Sequence, residues 1–204
     1  MEFRGPITLE GRYIRLVPLL RSHVEPLARV GKDPEIWQWM SYGYCGTEEA
    51  MGRLVDLLLS RQSTGTDLAF TVLLRPDDRP MGMTRYLGID RPNRNAEVGG
   101  TWYSLDLWRT PVNSESKLLM LTNAFDAEGC ERVQIRTDSR NLRSQRAIER
   151  LGAQREGVLR RHMVLSDGTF RDSVVYSIVR TEWPEVRRRL ETALERPWVR
   201  PPGP

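Results

Sequence analysis

Apolar and polar residues alternate from Ile7 to Leu19, through Leu9, Tyr13 and Leu16, with Glu10 and Gly11 placed for a turn. A period of two predicts a bent opening strand or a short hairpin. Residues 22–31 follow with the spacing of a short helix, for which Ser22 is the candidate N-cap. The stretch DPEIWQWMSYGYCG (33–46) starts as a proline-initiated helical turn and gives way to aromatics and glycines. Thr47 then stands before an amphipathic run, with Glu48 and Glu49 in its first turn favouring the helix dipole.

Three strands are predicted next, LAFTVLLR (68–75), PMGMTRYLGID (80–90) and AEVGGTWYSL (96–105), separated by the turn-rich RPDDRP and RPNRN. A helix over about 111–128, a strand at 131–138 and a helix at 139–152 follow, the last with Gly152 where a C-terminal cap belongs. Strands at 158–165 and 171–179 flank SDGT, whose Asp-Gly marks a hairpin. The basic helix WPEVRRRLETALE and a Pro-rich tail end the chain. This order predicts an α+β fold on a mixed sheet, antiparallel first, with a crossover in the middle. No stretch reads as an independent linker, so one domain over 1–194 and a disordered tail at 195–204 are expected.

With 204 residues, 39% hydrophobic and 28% charged, the chain has the composition of a soluble globular protein with a substantial core. No segment approaches the ~20 apolar residues of a membrane helix. The opening MEFRGPITLEGRYIRL lacks the apolar stretch of a secretory signal, so no membrane partner is expected. Cys45 and Cys130 stand far apart without a CxxC or Cys/His cluster. That argues against a metal and for reduced thiols in a cytoplasmic setting. The net charge is +4, and 29 of the 31 basic residues are Arg. Such a bias either builds a surface for phosphates or replaces Lys by Arg throughout, and the interleaved acids favour the second reading.

Candidate chemistry concentrates in DLWRTPVNSESK, residues 106–117. With Thr110 as N-cap and Pro111 as first helical residue, the amides of Val112, Asn113 and Ser114 are left free at the positive end of the dipole. Arg109 stands directly before them, and the hydroxyls of Thr110, Ser114 and Ser116 add donors. The segment reads either as a phosphate site or as a well-capped helix that binds nothing. GxGxxG and GxxxxGK[ST] are absent, which removes the Rossmann and P-loop readings.

Three pieces together, AEVGGTWYSL, WRTPVNSE and NLRSQRAIERLGA, resemble the GCN5-related N-acetyltransferases (GNAT), within them the RimJ/RimL type of ribosomal-protein N-terminal acetyltransferase. The resemblance runs from Leu9 to Val179. It implies a mixed, mostly antiparallel sheet of about seven strands flanked by helices and splayed between its fourth and fifth strands. It also implies an enzyme that moves an acetyl group from acetyl-coenzyme A to a primary amine, by direct attack in a ternary complex. The acceptor would be a protein N-terminus or a small molecule. By the same resemblance, the backbone of Trp102, Tyr103 and Ser104 holds the pantetheine, and one N–H polarises the thioester carbonyl. Arg109, Thr110, Val112, Asn113 and Ser114 would hold the pyrophosphate. The family's phosphate loop carries Gln or Arg, then Gly, then Gly or Ala, at positions that here hold Trp108, Pro111 and Asn113. Arg109 is placed to offset the lost donor through a charge-assisted contact.

The attacking amine must be neutral. Glu97 falls where some members place a carboxylate that deprotonates the amine through water, and it also reads as a strand-end glutamate facing solvent. His162 has the more suitable intrinsic pKa, but among arginines in RRHMV it reads as structural or surface. Asn141 and Ser144 match the family's Asn-x-x-Ser, where side chains meet the cofactor, and Asn141 also reads as a cap. Many relatives use a Tyr in this helix to protonate the departing thiolate. None occurs at 139–152, leaving Ser144, water or no general acid. Trp37, Trp39, Tyr42 and Tyr44 lie in the region that overhangs the acceptor in this family, as a cleft wall or as loop packing. Arg85 and Tyr86 are candidates for the same cleft. A homodimer fits such a family. Two other readings are a non-catalytic sensor of acyl-coenzyme A or another phosphate ligand, and an RNA-associated module cued by VRRRL and RRH. The second lacks any aromatic-basic motif of a nucleic-acid fold.

Overall fold

The opening segment forms the expected hairpin, β1 (Leu9–Glu10) and β2 (Ile14–Pro18), closed by Gly11 N–H on the Ile14 carbonyl at 2.9 Å. Because this segment contributes two strands, the sheet has eight strands rather than about seven. The others are β3 (Leu68–Leu74), β4 (Arg79–Asp90), β5 (Asn95–Tyr103), β6 (Arg132–Asp138), β7 (Gln154–Val164) and β8 (Phe170–Val179). Their spatial order is β1-β2-β3-β4-β5-β6-β8-β7, antiparallel throughout except for the parallel pair β5–β6. The computed structural model describes residues 1, 3, 5 and 7–198.

Among the described residues five α-helices flank the sheet: α1 (Val24–Val30), α2 (Glu48–Ser63), α3 (Val112–Thr122), α4 (Leu142–Leu151) and α5 (Trp183–Glu195). Alternation along β3 sends Phe70 and Val72 into one core and Ala69 into another. Residues of α3, α4 and α5 fill the first core, and residues of α1 and α2 fill the second. The mixed sheet is thus a wall between two helical layers. Among the described residues no helix is long and apolar enough to cross a membrane.

Several boundaries shift for physical reasons. Thr47 caps α2 as expected, accepting the Ala50 amide at 3.2 Å. Ser22 caps nothing: it sits inside a 3-10 turn, Arg21–His23, that runs into α1. Strand β7 begins at Gln154, four residues early, because β8 is long enough to pair that far. Gly152 ends α4 in the left-handed region, φ 97°, as its place after the last apolar residue predicts. In the C-terminal segment Trp198 packs edge-on against Tyr13 at 5.5 Å, and most of the tail expected to be disordered, 199–204, lies outside the described residues. The basic run in α5 is neutralised locally: Arg187 meets Glu191 and Asp126, while Arg188 and Arg189 meet Glu185.

Candidate active site

The parallel pair β5–β6 lasts for three residues only, Asn95–Glu97 against Arg132–Gln134. Beyond that, β5 stays on β4 and β6 stays on β8, so both strands turn an unpaired edge toward each other. Local chemistry drives the parting. On β4 the register moves two residues, Arg85 to Met83, while β5 moves three, Gly99 to Trp102. The extra residue is a bulge that twists β5 away. Gly100 adopts φ +57° there, and a Cβ on it would stand 2.8 Å from Arg85 Nε. The predicted splay is therefore present, between the strands numbered β5 and β6.

A cavity of about 360 Å³ fills the splay. Seven cationic side chains and one carboxylate, Glu97, line it. One end is the start of α3. Helical bonding begins one residue later than expected, because Glu115 N–H bonds the Pro111 carbonyl at 2.9 Å and makes Pro111 the cap. Thr110 instead donates its hydroxyl to the Leu107 carbonyl at 2.7 Å and receives a long 3.4 Å contact from Val112 N–H. The amides of Asn113 and Ser114 have no acceptor among the described residues. Pro111 precedes these donors and removes none of them. Arg109 enters the loop at φ 62°, and the Arg143 guanidinium lies 3.3 Å from the centre of the Trp108 ring. Burial and the nearby Arg109 charge both lower the Arg143 pKa. Arg109 and Arg143, the latter 3.9 Å from Glu35, line the cavity together with these amides, donors of the kind that suit an anion. Arg143 was not singled out by sequence, although it sits inside the NLRS motif.

Along the floor, Trp102 and Tyr103 line the cavity, and the Tyr103 hydroxyl reaches Asn113 Oδ1 at 3.4 Å. Ser104 follows β5 and donates its backbone N–H to Met81, away from the cavity lining. Asn141 caps α4, its Oδ1 accepting the Ser144 amide at 3.0 Å, so the cap reading holds; Asn141 and Ser144 both face the cavity. Lys117 is a residue that sequence reasoning missed. It lies on the cavity wall 5% exposed, and its Nζ donates to Thr101 Oγ1 at 3.0 Å. Burial pushes its pKa down to about 8. The available signal was its rarity: it is one of two lysines among 31 basic residues.

At the other end Glu97 is buried, not solvent-facing. Its Oε2 meets Arg136 Nη2 at 2.5 Å and accepts from Gln134 at 3.1 Å. Oε1 has no donor among the described residues. Arg136 also donates to His162 Nε2 at 3.0 Å, which fixes the ring proton on Nδ1, bonded to Ser173 Oγ at 3.0 Å. Burial, then Arg136 and Arg171, lower the His162 pKa. Both ring nitrogens are thus occupied, and the lowered pKa favours the neutral ring.

The aromatic group divides. Trp39 and Tyr42 line the cavity. Trp37 is buried against Trp102, ring centres 4.9 Å apart, and bonds the Gly31 carbonyl, so it belongs to the core. Tyr44 is exposed, with its hydroxyl on the Lys32 carbonyl. Arg85 reaches the cavity, held by buried Asp67 at 2.7 Å and by the Tyr42 hydroxyl at 2.6 Å. Tyr86 points to the opposite core, its hydroxyl on the Met120 carbonyl. Among the described residues no group of three or more His, Cys, Asp or Glu is placed to hold a metal ion.

A split sheet, a bulge at the mouth and a helix start with free amides meet in one cavity. The family model for the acetyltransferase (GNAT) domain matches residues 14–154. A T. thermophilus protein described as an acetyltransferase is 38% identical, with TM-score 0.85, over 94% of this chain and 99% of that one. A GCN5-related N-acetyltransferase from Brucella melitensis is 26% identical, TM-score 0.85, over 93% and 86%. An uncharacterised N-acetyltransferase, p20, of Bacillus licheniformis is 21% identical over 86% of this chain and 99% of its own. Mycobacterium smegmatis RimJ, solved with CoA-disulfide, shares the fold at 20% identity and TM-score 0.79, over 92% and 95%. This chain belongs to the GNAT family of acetyltransferases.

Proposed function

We propose that the chain transfers an acetyl group from acetyl-coenzyme A to a primary amine by direct attack within a ternary complex. One observation carries the reading: the parting of β5 from β6 joins the free amides of α3 and the Glu97 carboxylate in a single cavity. The pyrophosphate belongs at the Asn113 and Ser114 amides, between Arg109 and Arg143. The bulged, unpaired edge of β5 offers hydrogen bonds to an extended pantetheine, as an adjacent strand would. Lys117, beside Thr101 on the same edge, adds a donor toward that arm.

Glu97 is held still by Arg136 and Gln134 through one oxygen, and its other oxygen is free to take a proton from the amine through water. The neutral nitrogen attacks the thioester carbonyl, the C–S bond breaks, and the thiolate leaves. A backbone N–H of β5 stabilises the charge on the carbonyl oxygen. Ser144 faces the cavity from α4 and can relay the proton that the nitrogen sheds after attack on to the departing thiolate, its own hydroxyl being restored in the same transfer. Incubating the protein with acetyl-coenzyme A and a panel of amines, while following free thiol, tests the proposal. Acceptor-dependent thiol release is expected. Binding of acetyl-coenzyme A without turnover on any amine refutes it and leaves the non-catalytic sensor.

A further inference from the structure

The acceptor half of the cavity holds three guanidiniums, and two of them are matched to a carboxylate. Arg85 pairs with Asp67, both side chains 5% exposed, and Arg136 pairs with Glu97. Arg171 on β8 is left over. Its Nε donates to the Ser173 hydroxyl at 3.1 Å and its Nη1 to the Trp39 carbonyl at 3.4 Å. Among the described residues no carboxylate lies within 4.0 Å of it. The neighbouring acids Asp138 and Asp172 are engaged elsewhere. Asp138 is gripped by Arg140 through Nε and Nη2, at 2.9 and 2.8 Å. Asp172, next in the strand, faces the other side and accepts the Arg161 amide at 2.7 Å.

A half-buried cation with no ion pair of its own is costly: burial lowers the Arg171 pKa most, the Asp138 charge beyond ion-pair distance raises it, and Arg136 lowers it again. The two bonds Arg171 does make, to a hydroxyl and a carbonyl, fix its orientation without neutralising it. Arg171 lines the same cavity as Glu97, together with Trp39 and Met163. We infer that the acceptor amine carries its own anionic group, a carboxylate or a phosphate, which docks on Arg171 while its nitrogen faces Glu97. This rests on the acetyltransferase reading above and narrows its substrate. The planar fork suits the two oxygens of either anion.

Calorimetry on the full chain, first titrated with coenzyme A and then with matched amines, tests the inference. L-Phenylalanine against L-phenylalaninamide is the carboxylate pair. O-phosphoethanolamine against ethanolamine is the phosphate pair. The anionic member of one pair is expected to bind about tenfold or more tighter, and the arm that responds identifies the group. Arg171→Met is expected to bring that ratio below about threefold, and Arg171→Lys to keep part of it. If Arg171→Met does not fold, the ratio in the unaltered chain and its decline with added salt decide the matter. Equal affinities within both pairs, or no binding of either anionic member at millimolar concentration, overturn the inference alone when coenzyme A has bound. No heat with coenzyme A overturns the proposed function itself, and the inference falls with it.

Discussion

Replacing Lys117 by Met should make the protein more stable and a poorer ligand for coenzyme A. The ammonium is 5% exposed and has one hydroxyl partner, Thr101 Oγ1. A fall in pKa from 10.5 to about 8 corresponds to about 3 kcal/mol of lost stability when the group is charged. Met has nearly the same length and no charge to desolvate. Losing the hydrogen bond costs about 1 kcal/mol, and Thr101 is not orphaned, since the Thr84 hydroxyl remains at 2.8 Å. The net gain at pH 7 is then about 2 kcal/mol. The unfolded chain holds the Lys117 proton up to about pH 10.5, while the folded chain releases it near 8. Lys117 therefore penalises folding fully below pH 8, and the penalty fades as pH rises through that window. Urea denaturation of both proteins at pH 7 and at pH 10 measures it. The advantage of the Met variant should fall by about 2.5 kcal/mol between the two, which removes it by pH 10, other titrations cancelling in the difference. A gap that does not change with pH, or a Met variant less stable at pH 7, refutes the reasoning.

Glu97→Gln should lower kcat by about 100-fold or more while leaving coenzyme A affinity within a few fold, measured by thiol release and calorimetry on a sample whose fold is confirmed by circular dichroism. Arg109→Ala and Arg143→Ala should each weaken coenzyme A binding by about tenfold, with a shallower salt dependence than the parent. Gly100→Ala should lower the midpoint of thermal unfolding through about 1–3 kcal/mol of backbone strain and the clash with Arg85 Nε; an unchanged midpoint would mean the bulge is relaxed. Glu115→Ala should cost more than about 3 kcal/mol in denaturant, because its buried carboxylate accepts the Arg12, Tyr13 and Ile14 amides at 2.7–2.8 Å.

The chain's own pattern determined the element types, the strand-rich first half and the two-stranded ending, because period and turn chemistry are local properties. Thr47 and Gly152 were legible for the same reason: a cap depends on its neighbours in sequence. So was the helix start after Trp108, where Pro111 and the small polar residues leave amides free whichever residue is counted as the cap. Ser22 failed because a 3-10 turn and a helix begin with the same residues, and packing of α1 on α2 chose the later start.

Burial and pairing were decided by the tertiary structure. Glu97 looked like a strand-end acid, and only the approach of β6 brought Arg136 and Gln134 onto its Oε2. Four aromatics within eight residues read alike in sequence, yet Trp37 was taken by Trp102 and Tyr44 by solvent, leaving Trp39 and Tyr42 for the cavity. Asp67 and Arg171 carried no signature, and Lys117 only its rarity, because their meaning lies in what they lack or face across the sheet. Hydrophobic period, capping and turns act over a few residues, so one strand of text contains them. The charge balance of a cavity sums groups from β4, β5, β6, β8 and α3, and no order of residues states that sum until the sheet has closed around it.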